Sequence, residues 1–150
     1  MFGFLFRWKK GTAAKPRTAV VGEWGEAQAA GFLKAAGYQI VGRNVRPGNR
    51  LDEIDIIAKQ GETLVFVEVK TRRQETFGRP ARAVDTAKRH ALNRAATAYL
   101  RKTHYPDLFY RFDVIEVLGQ PEDAAPPTIR HIEDAFPFEK RRILPIRGRL

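Results

Sequence analysis

Cysteine is absent from the 150 residues, which removes disulfides, thiolate metal sites and a cysteine nucleophile. Serine is missing as well, so serine-based hydrolysis is excluded. Histidine occurs at positions 90, 104 and 131 only, widely separated and without ligand-like spacing. No apolar run reaches the ~18 residues that a membrane-crossing helix requires. The start, Met1 to Lys10, is apolar first and basic second, the reverse of a secretory signal. With no cysteine framework to suggest export, the cytoplasm is the expected compartment. Carboxylates and lysines are the main catalytic material left.

Base is plentiful. Lys+Arg number 27 against 17 Asp+Glu, a net +10, and the distribution is uneven. Residues 1–18 and 140–150 each carry five bases and no acid, while 72–104 holds nine bases against Glu75 and Asp85. Such asymmetry suits a polyanion, because each neutralised phosphate releases counterions and supplies sequence-independent affinity. An anionic membrane surface or an acidic protein answers to the same charge. The length and a 43% hydrophobic content describe one globular domain with a self-sufficient core.

The pattern predicts α/β organisation. Residues 9–18 read as a linker, and Thr18 is placed to cap a helix reaching about Ala36. Its stripe is Val20, Val21, Trp24, Ala27, Gly31 and Ala35, widened by Phe32, Leu33 and Ala36. Gly37 stops it. Strands are expected at Tyr38–Val45, Leu51–Ala58 and Thr63–Lys70, the last two joined as an antiparallel hairpin through Gly61. A basic loop, 71–82, precedes a second helix from Ala81 to about His104, with Val84, Ala87, Ala91, Ala95, Ala98 and Tyr99 as its buried stripe. Leu108–Leu118 is a fourth strand and Thr128–Ile132 a candidate fifth. The order αβββαβ implies a mixed sheet with helices covering it. The division expected is a flexible arm at 1–18, a domain at 19–134 and a basic tail at 135–150.

The hairpin carries the chemistry. A turn near residue 61 sets Asp55 across from Val67 or Glu68, and Glu68 and Lys70, two apart, share a face. A register that puts Asp55 on that face brings two carboxylates and an amine within about 5–8 Å. Adjacent, partly buried carboxylates repel, and a hard divalent cation such as Mg²⁺ is the usual remedy. A cation there polarises a phosphoryl oxygen and acidifies water, and a lysine beside it offsets transition-state charge. Phosphodiester hydrolysis needs these parts and neither serine nor cysteine. Glu26, on the first helix, is a third acid able to close the site. The plainer alternative is a strand end and a helix surface whose charges meet solvent.

In chain order stand Gly25-Glu26-x-x-Ala29, Gly37-Tyr38, Arg43-Asn44, Glu53-Ile54-Asp55, Phe66-Val67-Glu68-Val69-Lys70, Phe77-Gly78-x-Pro80, Ala83-Val84, Lys88 and Arg111-Phe112-Asp113-Val114. The set resembles the bacterial YraN family of predicted endonucleases, related to archaeal Holliday junction resolvases within the PD-(D/E)XK nuclease superfamily. The likeness spans about residues 22–118. It implies a restriction-endonuclease-like αβββαβ core, Asp55 and Glu68 as metal ligands, Lys70 orienting water and Glu26 completing the site. It implies Mg²⁺ as cofactor, with Mn²⁺ as a substitute, and DNA, duplex or branched, as partner, in the setting of repair or recombination. Lys88 would face the scissile phosphate or be a plain surface lysine. One departure is Asp52, where the family usually has glycine, a difference that matters if the backbone there needs positive φ.

Arg72, Arg73, Arg79 and Arg82 follow the catalytic strand and are expected to contact phosphate, whereas Asp113 and Trp24 are expected to be structural. The expected activity is metal-dependent DNA cleavage. The alternatives are a catalytically silent nucleic-acid-binding module and an adaptor whose tails recruit a DNA-processing partner. A resolvase is usually a homodimer, but no dimer surface is evident in the sequence.

Overall fold

Seven elements follow in the order αβββαββ in the computed structural model, which describes residues 13–48, 51–74, 84–104, 106 and 108–139. They are α1 (Arg17–Ala35), β1 (Gln39–Val45), β2 (Ile54–Gln60), β3 (Thr63–Arg72), α2 (Thr86–Lys102), β4 (Phe109–Leu118) and β5 (Thr128–Phe136). The strands form one mixed sheet in sequence order. β1–β2, β2–β3 and β4–β5 are antiparallel, and β3 runs parallel to β4. That one parallel step needs a crossover, which α2 provides.

Strand alternation builds two cores. Val65 and Val67 of β3 pack with Ala29 and Leu33 of α1 on one face, beside Ile115 and Val117. Leu64 and Phe66 turn to the other face, where Leu92, Ala96 and Leu100 of α2 cover them. The sheet is thus sandwiched between two helices, and Glu68 and Lys70 fall on the α2 side by the same alternation. No helix among the described residues is long and apolar enough to cross a membrane.

Several expectations change in detail. Thr18 does not cap α1. The helix begins at Arg17 behind Pro16, which makes no side-chain cap but whose carbonyl accepts from the Ala19 and Val20 N–H groups. The buried face of α1 is Gly25, Ala29, Ala30 and Leu33, while Ala27, Gly31 and Ala35 are exposed. Close approach to the sheet selects small residues at four-residue steps, and Trp24 packs at the margin of that core. A Cβ on Gly25 would sit 1.8 Å from Thr71 Oγ1, so this helix and β3 meet almost backbone to side chain.

The second helix starts at Thr86 rather than Ala81, because the Asp85 carboxylate caps it, accepting the Lys88 N–H at 2.8 Å. Its buried face is Leu92, Asn93, Ala95, Ala96, Thr97 and Leu100, whereas Ala87 is exposed and Ala91, Ala98 and Tyr99 are only partly buried. The alanine stripe misled because Asn93, though polar, is fully buried and used. Its Nδ2 donates to the Arg89 carbonyl, and its Oδ1 accepts the Glu139 N–H. β2 starts at Ile54, three residues after the expected Leu51. β5 runs on from Ile132 to Phe136, whose ring stacks on Phe112 with centroids 4.6 Å apart. Phe138 joins the same cluster, 4.2 Å from Phe112, so chain beyond residue 135 is part of the packed domain. The arm through residue 12 and the tail from 140 lie outside the described residues, as do Arg79 and Arg82.

Candidate functional site

The hairpin register decides the site. Ile56 stands opposite Val67 and Gln60 opposite Thr63, around a turn in which Gly61 takes φ +56°. Continuing that ladder by one pair sets Asp55 against Glu68. Asp55 Oδ2 accepts the Val69 N–H at 2.8 Å, which fixes its carboxylate at the end of the sheet. Glu68 is 8% exposed; its Oε1 lies 3.4 Å from Lys88 Nζ, and its buried Oε2 has no hydrogen-bond partner. Lys70, on the same face, adds positive potential to Glu68.

Glu26 arrives from α1. Carboxylate oxygens of Glu26, Glu53 and Asp55 lie within 4.8 Å of one another. Asn44 spans the first two, donating from Nδ2 to Glu26 at 2.7 Å and to Glu53 at 3.2 Å. Arg46 Nε holds the far oxygen of Glu53 at 2.6 Å. Asn44 keeps φ at +49°, a conformation in which asparagine is among the more tolerant residues. Thus Glu26, Asp55, Glu68, Lys70 and Lys88, all singled out in the sequence, meet at one end of the sheet.

Glu53 and Asn44 were not assigned to the site from the sequence. The signal for Glu53 was present: it is two residues before Asp55 and so shares its side of an extended chain. Asn44 offered no such spacing, since its role depends on a backbone conformation seen only in the fold.

The electrostatics follow from crowding. Burial, then the neighbouring Glu68 charge, push Asp55 up to about 7. Burial raises Glu68 as well, against the pull of Lys88. Glu26 is raised by burial, opposed by its Asn44 hydrogen bond and helped by Asp55 and Glu53. Three acids that resist ionising together, one with an orphaned buried oxygen, and the Glu53 carboxylate beside them are an all-oxygen donor set suited to a hard divalent cation. The residues present fit such an ion.

Asp52, the departure from the resembled pattern, is accommodated. Its φ is not positive, and its carboxylate takes Arg94 of α2 in two hydrogen bonds of 2.9 and 3.2 Å. It therefore clamps the start of β2 to α2 instead of joining the acid cluster. Arg72 and Arg73 lie at the end of β3, beside a cavity that Glu26 also lines.

A second polar cluster sits elsewhere on the sheet, and only its centre, Asp113, was expected to be structural. Asp113 is fully buried and accepts from Arg111 at 2.9 and 3.0 Å, from the Asp134 N–H at 3.0 Å, and pairs with His131 Nε2 at 2.7 Å. Burial would raise its pKa, but the His131, Arg111 and Asp134 hydrogen bonds together bring it below the ordinary value. Arg111 also donates to the Tyr38 hydroxyl, which donates to Glu133. This network ties β4 to β5 and to the entry of β1.

Comparison with known proteins places these features in a family. A protein from Geotalea daltonii, named UPF0102 protein, is 49% identical over 116 residues, covering 77% of this chain and 88% of its own. One of the same name from Symbiobacterium thermophilum is 48% identical over 77% of this chain and 95% of its own. A third, from Caldicellulosiruptor saccharolyticus, is 47% identical over 65% of this chain and 80% of its own. The family profile described as "Uncharacterised protein family UPF0102" matches residues 25–117, the stretch from Gly25 to Val117 that contains every acid and lysine of the site. The chain belongs to the UPF0102 family.

Proposed function

We propose that this protein is a metal-dependent endonuclease that hydrolyses DNA phosphodiester bonds, with branched or otherwise structured DNA as its target. The observation that carries the reading is the convergence of Glu26, Glu53, Asp55 and Glu68, with the orphaned Glu68 Oε2, beside Lys70 and Lys88. The resemblance to PD-(D/E)XK nucleases supports it independently, since it picks out Asp55, Glu68 and Lys70.

Asp55 and Glu68, with Glu26 and Glu53 nearby, would hold a Mg²⁺ or Mn²⁺ ion. When bound, such an ion polarises a phosphoryl oxygen and lowers the pKa of water. The chain's own groups do the rest. The Val69 N–H fixes the Asp55 carboxylate, and Asn44 and Arg46 fix Glu53, so the donors are set before substrate arrives. Lys70 orients the attacking water and Lys88 offsets negative charge on the phosphoryl group, each from a position beside Glu68. Arg72 and Arg73 hold neighbouring phosphates as bidentate donors.

The test is cleavage of a labelled panel (four-way junction, flap, single strand and plain duplex) with Mg²⁺, Mn²⁺ or EDTA. Wild type is run beside Asp55→Ala and Lys70→Ala. Metal-dependent cutting lost in both variants is the expected result. Salt-sensitive binding without cutting on every substrate would instead favour a silent binding module or an adaptor.

A further inference from the structure

A groove of about 430 Å³ lies between α1, the end of β3 and the chain after β4. Val21 and Gly22 of α1 and Val69 of β3 give it an apolar floor, and Arg72 and Arg73 a basic rim. At one end it shares Glu26 with the acid cluster. At the other, Arg17 of α1 forks onto Glu122 and reaches Gln120, while Arg73 Nε donates to Gln120 at 2.9 Å. Two arginines are thereby fastened at that end before any ligand binds, and Arg73 spends only one of its five donors there.

Volume and chemistry together select the occupant. The space is at the small end of the range for small-molecule sites, roughly 300–1,000 Å³, so it holds a nucleotide-sized group but not a base pair. An apolar floor suits a base or sugar face, and guanidinium groups at the rim suit a phosphate. We propose that the groove is a subsite for one unpaired nucleotide adjoining the phosphate held at the acid cluster. The inference rests on the nuclease reading for that phosphate, and it names the substrate class: DNA with an unpaired nucleotide at the cleavage point, not continuous duplex. Gly22 is the opening. A Cβ at this position meets nothing within 4 Å, so the helix leaves room there that a side chain would fill.

Gly22→Glu sets a negatively charged side chain at the groove on a Cβ that meets nothing within 4 Å, and Gly22→Ala serves as the folding control. Fluorescence anisotropy in EDTA compares a labelled duplex containing one unpaired nucleotide with the same duplex unbroken. Wild type is expected to prefer the first, and Gly22→Glu to lose about tenfold on it, the weight of one good contact. Affinity for unbroken duplex stays within about twofold, well under that factor. The double variant Arg72→Ala/Arg73→Ala repeats the test should Gly22→Glu melt below wild type, and is expected to remove the same preference. No preference in wild type, or a preference that survives both changes, overturns the subsite. Cleavage of the same two duplexes with Mg²⁺ separates the two readings. A preference without any cutting refutes the nuclease and leaves the groove standing, whereas Asp55-dependent cutting with no preference refutes the groove alone.

Discussion

Replacing Asp55 by asparagine separates the electrostatics of the acid cluster from any activity. Folding raises this carboxyl from 3.8 to about 7, through burial first and the Glu68 charge second. A raised carboxyl binds its proton more tightly in the native chain than in the unfolded one, so stability falls as pH climbs between those values. Below about pH 4 both states hold the proton and nothing is lost; above about 7 the whole cost is present, with a ceiling of roughly 4 kcal/mol. Part of that repulsion belongs equally to Glu68, and relaxation of the half-buried site lowers it further, to about 2 kcal/mol. Asparagine keeps an oxygen for the Val69 N–H, which Asp55 now accepts at 2.8 Å, and deletes only the charge. In EDTA, Asp55→Asn is therefore expected to melt about 4–8 °C above wild type at pH 8 and together with it at pH 4. Circular dichroism melts from pH 4 to 8 read this directly. Equal melting temperatures at pH 8, or a variant weaker at every pH, would refute the account of a cluster strained by like charge.

Other changes test other contacts. Mg²⁺ at about a hundred times its Kd is expected to stabilise wild type by about 2.7 kcal/mol and Asp55→Asn by much less, as thermal shift with and without EDTA will report. Gly25→Ala should cost about 1–3 kcal/mol by forcing α1 off Thr71, with partial recovery in Gly25→Ala/Thr71→Ala; chemical denaturation of the three proteins checks it. Asp113→Asn leaves the Arg111 guanidinium without its counter-charge and disturbs the His131 hydrogen bond, and should cost about 3–5 kcal/mol in the same assay, with the acid cluster untouched. Substituting Arg72 or Arg73 by alanine should each reduce the salt slope of binding to the duplex with one unpaired nucleotide by about 0.9, measured by titration at several salt concentrations.

Most of the fold was legible because its signals are local. The Gly61 turn, the β-branched runs and the Gly37 stop fix the hairpin and the order of elements, and the structure adds a longer fifth strand. The helix faces were legible only in part, at Leu33 and Ala95, and missed elsewhere for a physical reason. Periodicity cannot tell which of many small residues meets the sheet: α1 approaches β3 so closely that Gly25 and Ala29 form its contact where Ala27 and Gly31 are equally small, and α2 buries an asparagine that serves as a connector. The site was legible where two-residue spacing and hairpin arithmetic reach, as at Asp55, Glu68 and Lys70. It was not legible at Asn44, whose amide bridges acids 18 and 9 residues away through a positive-φ backbone. Nor did residue pattern alone pair Asp52 with Arg94, 42 positions apart.

The turn at Gly61–Glu62 joins β2 to β3 with only two residues between the paired Gln60 and Thr63. Side chains in a strand alternate, so one inserted residue, if absorbed as a slip of the ladder, would swing Asp55 to the side away from Glu68. Every acid and lysine would still be present, in the same order. Length here is therefore under as much constraint as identity: an insertion between Gly61 and Glu62, six residues from Asp55 and from Glu68, could disable the centre more thoroughly than many substitutions beside it.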